Sequence, residues 1–187
     1  MSSSEVFAMA TSSPVFVPLE EYLSTSYRPD RDWIDGETKE RNVGEQSHAR
    51  IQSYFAYHFR LHASKWKVRG LTEQRLQVLP DRFRIPDVCL IPLNDPLIEV
   101  LRTPPLLCIE ILSRDDRMSD IQERVEDYLA MGVPAVWVVD PRRRRAYEAL
   151  PGGALQPVPA ELALAGTDIR IPVAEVFAEL DEMEAQA

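Results

Sequence analysis

The sequence predicts a chain of the α/β or α+β kind, a central β-sheet with helices packed on its faces. Three observations carry that expectation. Short, nearly continuous apolar runs at "FRIPDVCLIP" (83–92), "LLCIEILS" (106–113) and "PAVWVVDP" (134–141) have the length and character of covered strands. Segments with apolar residues three or four positions apart lie before and between them. No internal repeat breaks the order of helix, strands, helix and strands.

The elements follow in chain order. Residues 1–16 are Ser-rich and are expected to form a disordered tail, with one domain over 17–187. "VPLEEYLSTSY" (17–27) reads as a short helix with Pro18 near its first turn. Asp35-Gly36 inside "RDWIDGETKERN" is a hairpin turn signal. "GEQSHARIQSYFAYHFRLH" has apolar or aromatic residues at 51, 54, 55, 58 and 59, a helical spacing. "WKVRGLTEQRLQVLP" reads as strand, turn, strand. "FRIPDVCLIP" reads as one strand with Pro86 at its early edge, and "LLCIEILS" as a central strand. "DDRMSDIQERVEDYLAMG" is an amphipathic helix with Met118, Ile121, Val125, Tyr128 and Leu129 on one stripe, closed by Gly132. "PAVWVVDP" is a further buried strand paired with "RRAYEAL", and "PVAEVFAEL" a short final helix. Trp33, Trp66 and Trp137 read as core or strand residues, and Cys89 and Cys108, in two strand-like segments that could be neighbours in a sheet, as small apolar packers.

With 187 residues, 45% hydrophobic and 27% charged, the chain can build a packed core. No apolar run approaches the roughly 20 residues of a membrane-spanning helix. The N-terminus lacks the basic and apolar regions of a signal peptide, so no membrane association and a cytoplasmic location are expected. The net charge of −9 excludes a protein that binds polyanions over its whole surface. The charge is uneven, however. Residues 60–84 carry seven Lys or Arg against Glu73 and Asp81, residues 161–187 carry seven acids against Arg170, and Arg142–Arg145 form a run of four. Such basic patches can contact phosphates; for Arg142–Arg145 a solvated turn is the plainer reading.

Two acids stand out. Asp87 lies inside "RIPDVCLI" and Glu110 inside "LLCIEILS", each in a segment that should be buried. A buried carboxylate is costly unless it is paired, hydrogen-bonded or bound to a metal. If the two strands are neighbours, the acids converge. Two hard oxygen ligands suit Mg²⁺ or Mn²⁺, and such an ion can polarise a phosphodiester and activate water. The plainer alternative for Asp87 is a salt bridge to a nearby arginine.

The ordered set "WIDGE", His48 in "SHARI", "RIPDVCLI", "CIEILS", "RVEDYLAMGV" and "AVWVVDP" resembles the Uma-two family of bacterial proteins, of restriction-endonuclease-like fold, within the PD-(D/E)XK nuclease superfamily. The resemblance runs over residues 17 to 178. It implies a central mixed β-sheet flanked by helices, and a metal-dependent endodeoxyribonuclease with Asp87 and Glu110 as ligands of Mg²⁺ (or Mn²⁺) and DNA as partner. A homodimer is common among DNA-cutting enzymes of this fold. The sequence departs from the superfamily pattern at the lysine, which should stand two residues after the Glu; Leu112 is there instead. In the resembled family the Lys moves to the following helix, four residues before a Tyr, and Arg124 holds that position before Tyr128. The chain's lysines are Lys39, Lys65 and Lys67, all upstream. Arginine can clamp a phosphate but cannot accept a proton at neutral pH. The plainer reading of Arg124 is a helix-surface pair with Asp120. His48 is a candidate phosphate or water contact, Glu37 a candidate additional metal ligand or a plain hairpin acid, and Glu73 a strand acid that could approach the site. The alternative to a nuclease is a catalytically inactive nuclease-fold protein acting as a nucleic-acid- or protein-binding module.

Overall fold

A computed structural model describes residues 16–41 and 45–185. The expected tail over 1–16 falls almost entirely outside them, and Phe16, its last residue, forms a β-bridge with Glu37. The chain begins with helix α1 (Leu19–Ser24), entered through Pro18, whose fixed φ suits that position. Strands β1 (Arg31–Ile34) and β2 (Glu37–Glu40) form the expected hairpin. Asp35 and Gly36 at its tip have φ of 52° and 92°, the left-handed pair that a tight hairpin demands.

Helix α2 (Gln46–Trp66) buries Ile51, Phe55 and Phe59, one residue per turn of a single face. Strands β3 (Val68–Thr72), β4 (Leu76–Leu79), β5 (Arg82–Arg84) and β6 (Val88–Pro92) follow. The run 83–92 is therefore not one strand. Pro86 has no N–H to give a ladder, and the chain crosses at residues 85–87 from one sheet to another. β3 and β4 are the two strands expected over 66–80, and they belong to different sheets.

β7 (Leu107–Ile111), helix α3 (Met118–Met131) and β8 (Val136–Asp140) form a parallel crossover unit. Gly132 ends α3 with φ 98°. Met118, expected on the buried stripe, is half exposed at the first position of the helix. β9 (Arg145–Ala149) pairs antiparallel with β8 as expected. β10 (Leu155–Val158) and the small pair β11 (Glu161–Ala163) and β12 (Arg170–Pro172) precede helix α4 (Val173–Ala185).

The main sheet has the order β10-β9-β8-β7-β6-β3 and is mixed, with β7–β8 its parallel pair. One face packs Val88, Leu90, Ile109, Trp137 and Val139 against α2 and α4. The other packs Cys89, Cys108, Val136 and Val138 against α3 and β4. Cys89 and Cys108 are register partners on this second face, both buried free thiols, and burial pushes the Cys89 pKa up to about 12. The second sheet, β2-β1-β5-β4, lies beside α3, with Trp33 and Phe83 closing over Tyr22 of α1. This is the expected central mixed sheet flanked by helices.

Candidate active site

Strand alternation determines where the two acids point. Glu110 follows Cys108 by two residues and so shares the α3 face; Asp87 precedes Cys89 by two and does the same. In the β6–β7 ladder Val88 faces Ile109, which leaves Asp87 just before the start of β6, beside the C-terminal end of β7. There its Oδ2 accepts the Ile111 N–H at 2.7 Å. Both acids are almost fully buried, Asp87 at 3% exposure and Glu110 at 0%.

Burial on this scale requires compensation, and each oxygen has it. Asp87 Oδ1 accepts from Arg41 Nη2 at 2.5 Å, and His48 Nε2 lies 3.2 Å from Oδ2. Glu110 Oε1 accepts from the Tyr128 hydroxyl at 2.6 Å, and its Oε2 lies 3.2 Å from Arg124 Nη1 and 3.7 Å from Arg41 Nη2. One nitrogen of Arg41 thus stands between the two carboxylates.

The surroundings push the two acids apart. Burial acts to raise the Asp87 pKa, but Arg41, His48 and the Ile111 N–H outweigh it and hold the carboxyl below its usual range. For Glu110 burial wins: the pull of Arg41 and Arg124 only partly offsets it, and the Asp87 charge adds to it, so its pKa is raised. Burial disfavours a charged His48, yet the Asp87 contact more than restores it, and the imidazole pKa lies above the ordinary value.

Behind the acids a second buried network locks the elements together. Arg84 on β5 pairs with Asp32 on β1 at 3.0 Å and with Asp127 on α3 at 2.6 Å. Arg124 bridges toward it, with Nε 3.8 Å from Asp32 and Nη1 3.7 Å from Asp116. In front, a cleft of about 580 Å³ is lined by Tyr27, Arg28, Arg41, His48, Gln52 and Glu73.

The expected site residues are therefore distributed unevenly. Asp87, Glu110, His48 and Arg124 come together. Asp87 does have an arginine partner, though neither Arg82 nor Arg84 but Arg41, 46 residues earlier. Arg124 does not pair with Asp120, which instead meets Lys39 at 3.1 Å. Glu37 is exposed at the start of β2 and joins none of these contacts. Glu73 lines the cleft and accepts from Gln52 at 3.3 Å. The basic stretch 60–84 forms no patch at the site: Arg84 is buried, Arg82 is bound to Asp127, and Arg69 is held by the carbonyls of Leu93 and Asp95. Sequence reasoning missed Arg41, Asp32, Arg84 and Asp127. Asp127 had a signal, since it shares a helix face with Arg124 and Tyr128 at the i, i+3, i+4 spacing.

The donor set can be tested against a metal. Both carboxylates are hard donors, and both reach toward one cationic atom, Arg41 Nη2, so the oxygens suit a Mg²⁺ or Mn²⁺ ion with water completing its shell. That position is held by the guanidinium. Among the described residues no group of three or more His, Cys, Asp or Glu side chains is arranged to hold a metal. No helix among them is long and apolar enough to cross a membrane.

Comparison with known proteins agrees with this architecture. The sequence matches the Uma2 family, described as "Putative restriction endonuclease", over residues 19–174, and the chain belongs to that family. Among solved structures it is similar to a protein described as "a putative nuclease belonging to DUF820" from Anabaena variabilis ATCC 29413, with TM-score 0.75 and 20% identity over 89% of this chain and 99% of that one. A weaker likeness, TM-score 0.36 and 16% identity, covers 71% of this chain and 11% of a chain in the DrdV–DNA complex. No curated protein matches the chain.

Proposed function

We propose that this member of the Uma2 family is a metal-dependent endodeoxyribonuclease acting in the cytoplasm, with Asp87 and Glu110 holding Mg²⁺ or Mn²⁺. The observation that carries the reading is the convergence of two buried carboxylates, Glu110 on β7 and Asp87 just before β6, on one cationic atom. A divalent ion bound by them would neutralise charge on a phosphodiester and lower the pKa of a water. The rest is work for the chain's own groups. Tyr128 and Arg124 fix Glu110 from behind, which sets the direction of its free lone pairs. His48 bridges Asp87 and the cleft, and its raised pKa keeps a proton available at Nε2 for a phosphate oxygen. Arg28 and Arg41 give the cleft wall positive charge toward a DNA backbone. Arg124 takes the place of the lysine absent at Leu112, as a buried charge that supports Glu110 rather than as a base. A homodimer, one centre for each strand of a duplex, belongs to the same reading.

The test is nicking of supercoiled plasmid DNA with Mg²⁺ or Mn²⁺. Wild type should cut, and Asp87→Asn and Glu110→Gln, each shown to be folded, should not. A second reading, a nuclease-fold module that binds DNA without cutting it, is favoured by one observation: every oxygen of the acid pair is already matched by a protein donor. DNA retention without cleavage by wild type, under both metals, would select it.

A further inference from the structure

We infer that Arg41 is the site's own resident cation: its guanidinium holds Asp87 and Glu110 together until a DNA phosphate draws it away, and only then is the position between the acids free for the metal. The inference rests on the nuclease reading above and assigns it an order of events. Metal loading and DNA binding should help each other, because one side chain opposes the first and serves the second.

Three features of Arg41 carry this. Its Nη2 lies 2.5 Å from Asp87 Oδ1 and 3.7 Å from Glu110 Oε2, so it fills the space between the two oxygens an ion would share. A divalent cation cannot enter beside a guanidinium there without strong like-charge repulsion. Second, Arg41 Nη1 is buried yet has no hydrogen-bond partner among the described residues. Leaving a buried donor unmet is costly, and this one belongs to a side chain that lines the cleft. A phosphate offers two oxygens to the planar fork at once, so it satisfies Nη1 and Nη2 together where the carboxylates satisfy only Nη2. Third, the Arg41 backbone is fixed by its N–H to the Asp30 carbonyl at 3.1 Å, on the cleft wall, so the exchange needs only side-chain rotation.

Arg124 differs in each respect. It reaches Glu110 from the helix behind, and it is tied at the same time to Asp32 and Asp116. Its departure would break several contacts and gain no cleft-facing partner. Arg41 is therefore a positioning residue of the exchangeable kind and Arg124 is not.

The experiment measures Mn²⁺ binding by calorimetry for wild type, Arg41→Gln and Arg41→Lys, each alone and with a saturating phosphorothioate DNA duplex. Without DNA, Arg41→Gln should bind Mn²⁺ about tenfold or more tighter than wild type, with Arg41→Lys in between, since it keeps the charge and loses the fork. The duplex should tighten Mn²⁺ binding by wild type by a similar factor and change that of Arg41→Gln little. If the Gln variant folds only when Mn²⁺ is supplied, the inference is supported as directly, because the ion has then taken over the guanidinium's task. Equal Mn²⁺ affinity in wild type and Arg41→Gln, or equal tightening by the duplex in both, overturns the role of Arg41 and leaves the nuclease reading standing. Absence of Mn²⁺ binding in all three folded proteins, with and without DNA, overturns both.

Discussion

Arg124 and Glu110 form a buried ion pair, Nη1 to Oε2 at 3.2 Å, between α3 and the strand that leads into it. The sequence suggests a flanking position for Arg124 with at most a small surface pair to lose. Its burial changes the expected result of mutation. Arg124→Ala leaves Glu110 short of a partner inside the protein, a defect of about 3–5 kcal/mol, so a melt must accompany any activity assay. Arg124→Lys keeps the charge and should fold. We expect the Ala variant to lose nicking and the Lys variant to retain or raise it. Wild-type nicking by a folded Arg124→Ala protein would remove this residue from the chemistry.

The acid pair predicts a stability response to metal. An ion that binds only the folded chain stabilises it by mass action, about 2.7 kcal/mol at a hundred times Kd. For a chain of this size that is a rise in Tm on the order of 5–10 °C. Wild type should show it with Mn²⁺, and Asp87→Asn and Glu110→Gln should not. Melts of the three proteins across a Mn²⁺ series decide the matter: parallel responses would mean that the ion binds elsewhere.

How much of this is legible in the sequence depends on contrast. Asp87 and Glu110 can be read because a carboxylate in an apolar run is an anomaly. Arg41 cannot: it lies in the polar stretch "KERNVGEQS", where one more charge is unremarkable, and its contact with Asp87 spans 46 residues. The helices and the strands at 107–111 and 136–140 follow from periodicity and length. The split at residues 85–87 is hidden by the continuous apolar character of the run, although Pro86 is its physical signal. β10 to β12 escape a reading of the sequence because they are three or four residues long and two of them contain proline, too short for alternation to register.

Arg84 should separate structure from chemistry. It is fully buried between Asp32 and Asp127 and does not face the cleft. Arg84→Met removes the charge and leaves two buried acids facing each other without it, which should cost about 3–5 kcal/mol. The remaining folded protein should bind Mn²⁺ with wild-type affinity. Denaturant unfolding and calorimetry on the same preparation check both halves. A large loss of Mn²⁺ affinity would instead make this network part of the metal centre.

The four-arginine run is well placed. β7 and β8 are parallel, with Glu110 opposite Val138, so the turn that follows Asp140 leaves the sheet at the edge where the acids lie, one strand away. Strands are about 4.8 Å apart, well within the footprint of a duplex. Asp140 caps the turn by accepting the N–H groups of Arg142 and Arg143, each at 3.0 Å, which presents Arg142, Arg143 and Arg145 to solvent. If DNA crosses this edge, these side chains meet its phosphates and contribute affinity without sequence preference. The triple change Arg142→Gln, Arg143→Gln and Arg145→Gln should weaken duplex binding alike for unrelated sequences. It should also lower the salt slope of log K by about 2–3, at about 0.9 for each phosphate no longer neutralised. Arg60, Lys65 and Lys67 supply the control, for α2 ends and β3 begins at the opposite edge, where Val68 pairs with Pro92. Their change to Gln alters the net charge equally, so an equal loss of affinity from both triples would reduce the effect to overall charge and exclude a track along the acid-pair edge.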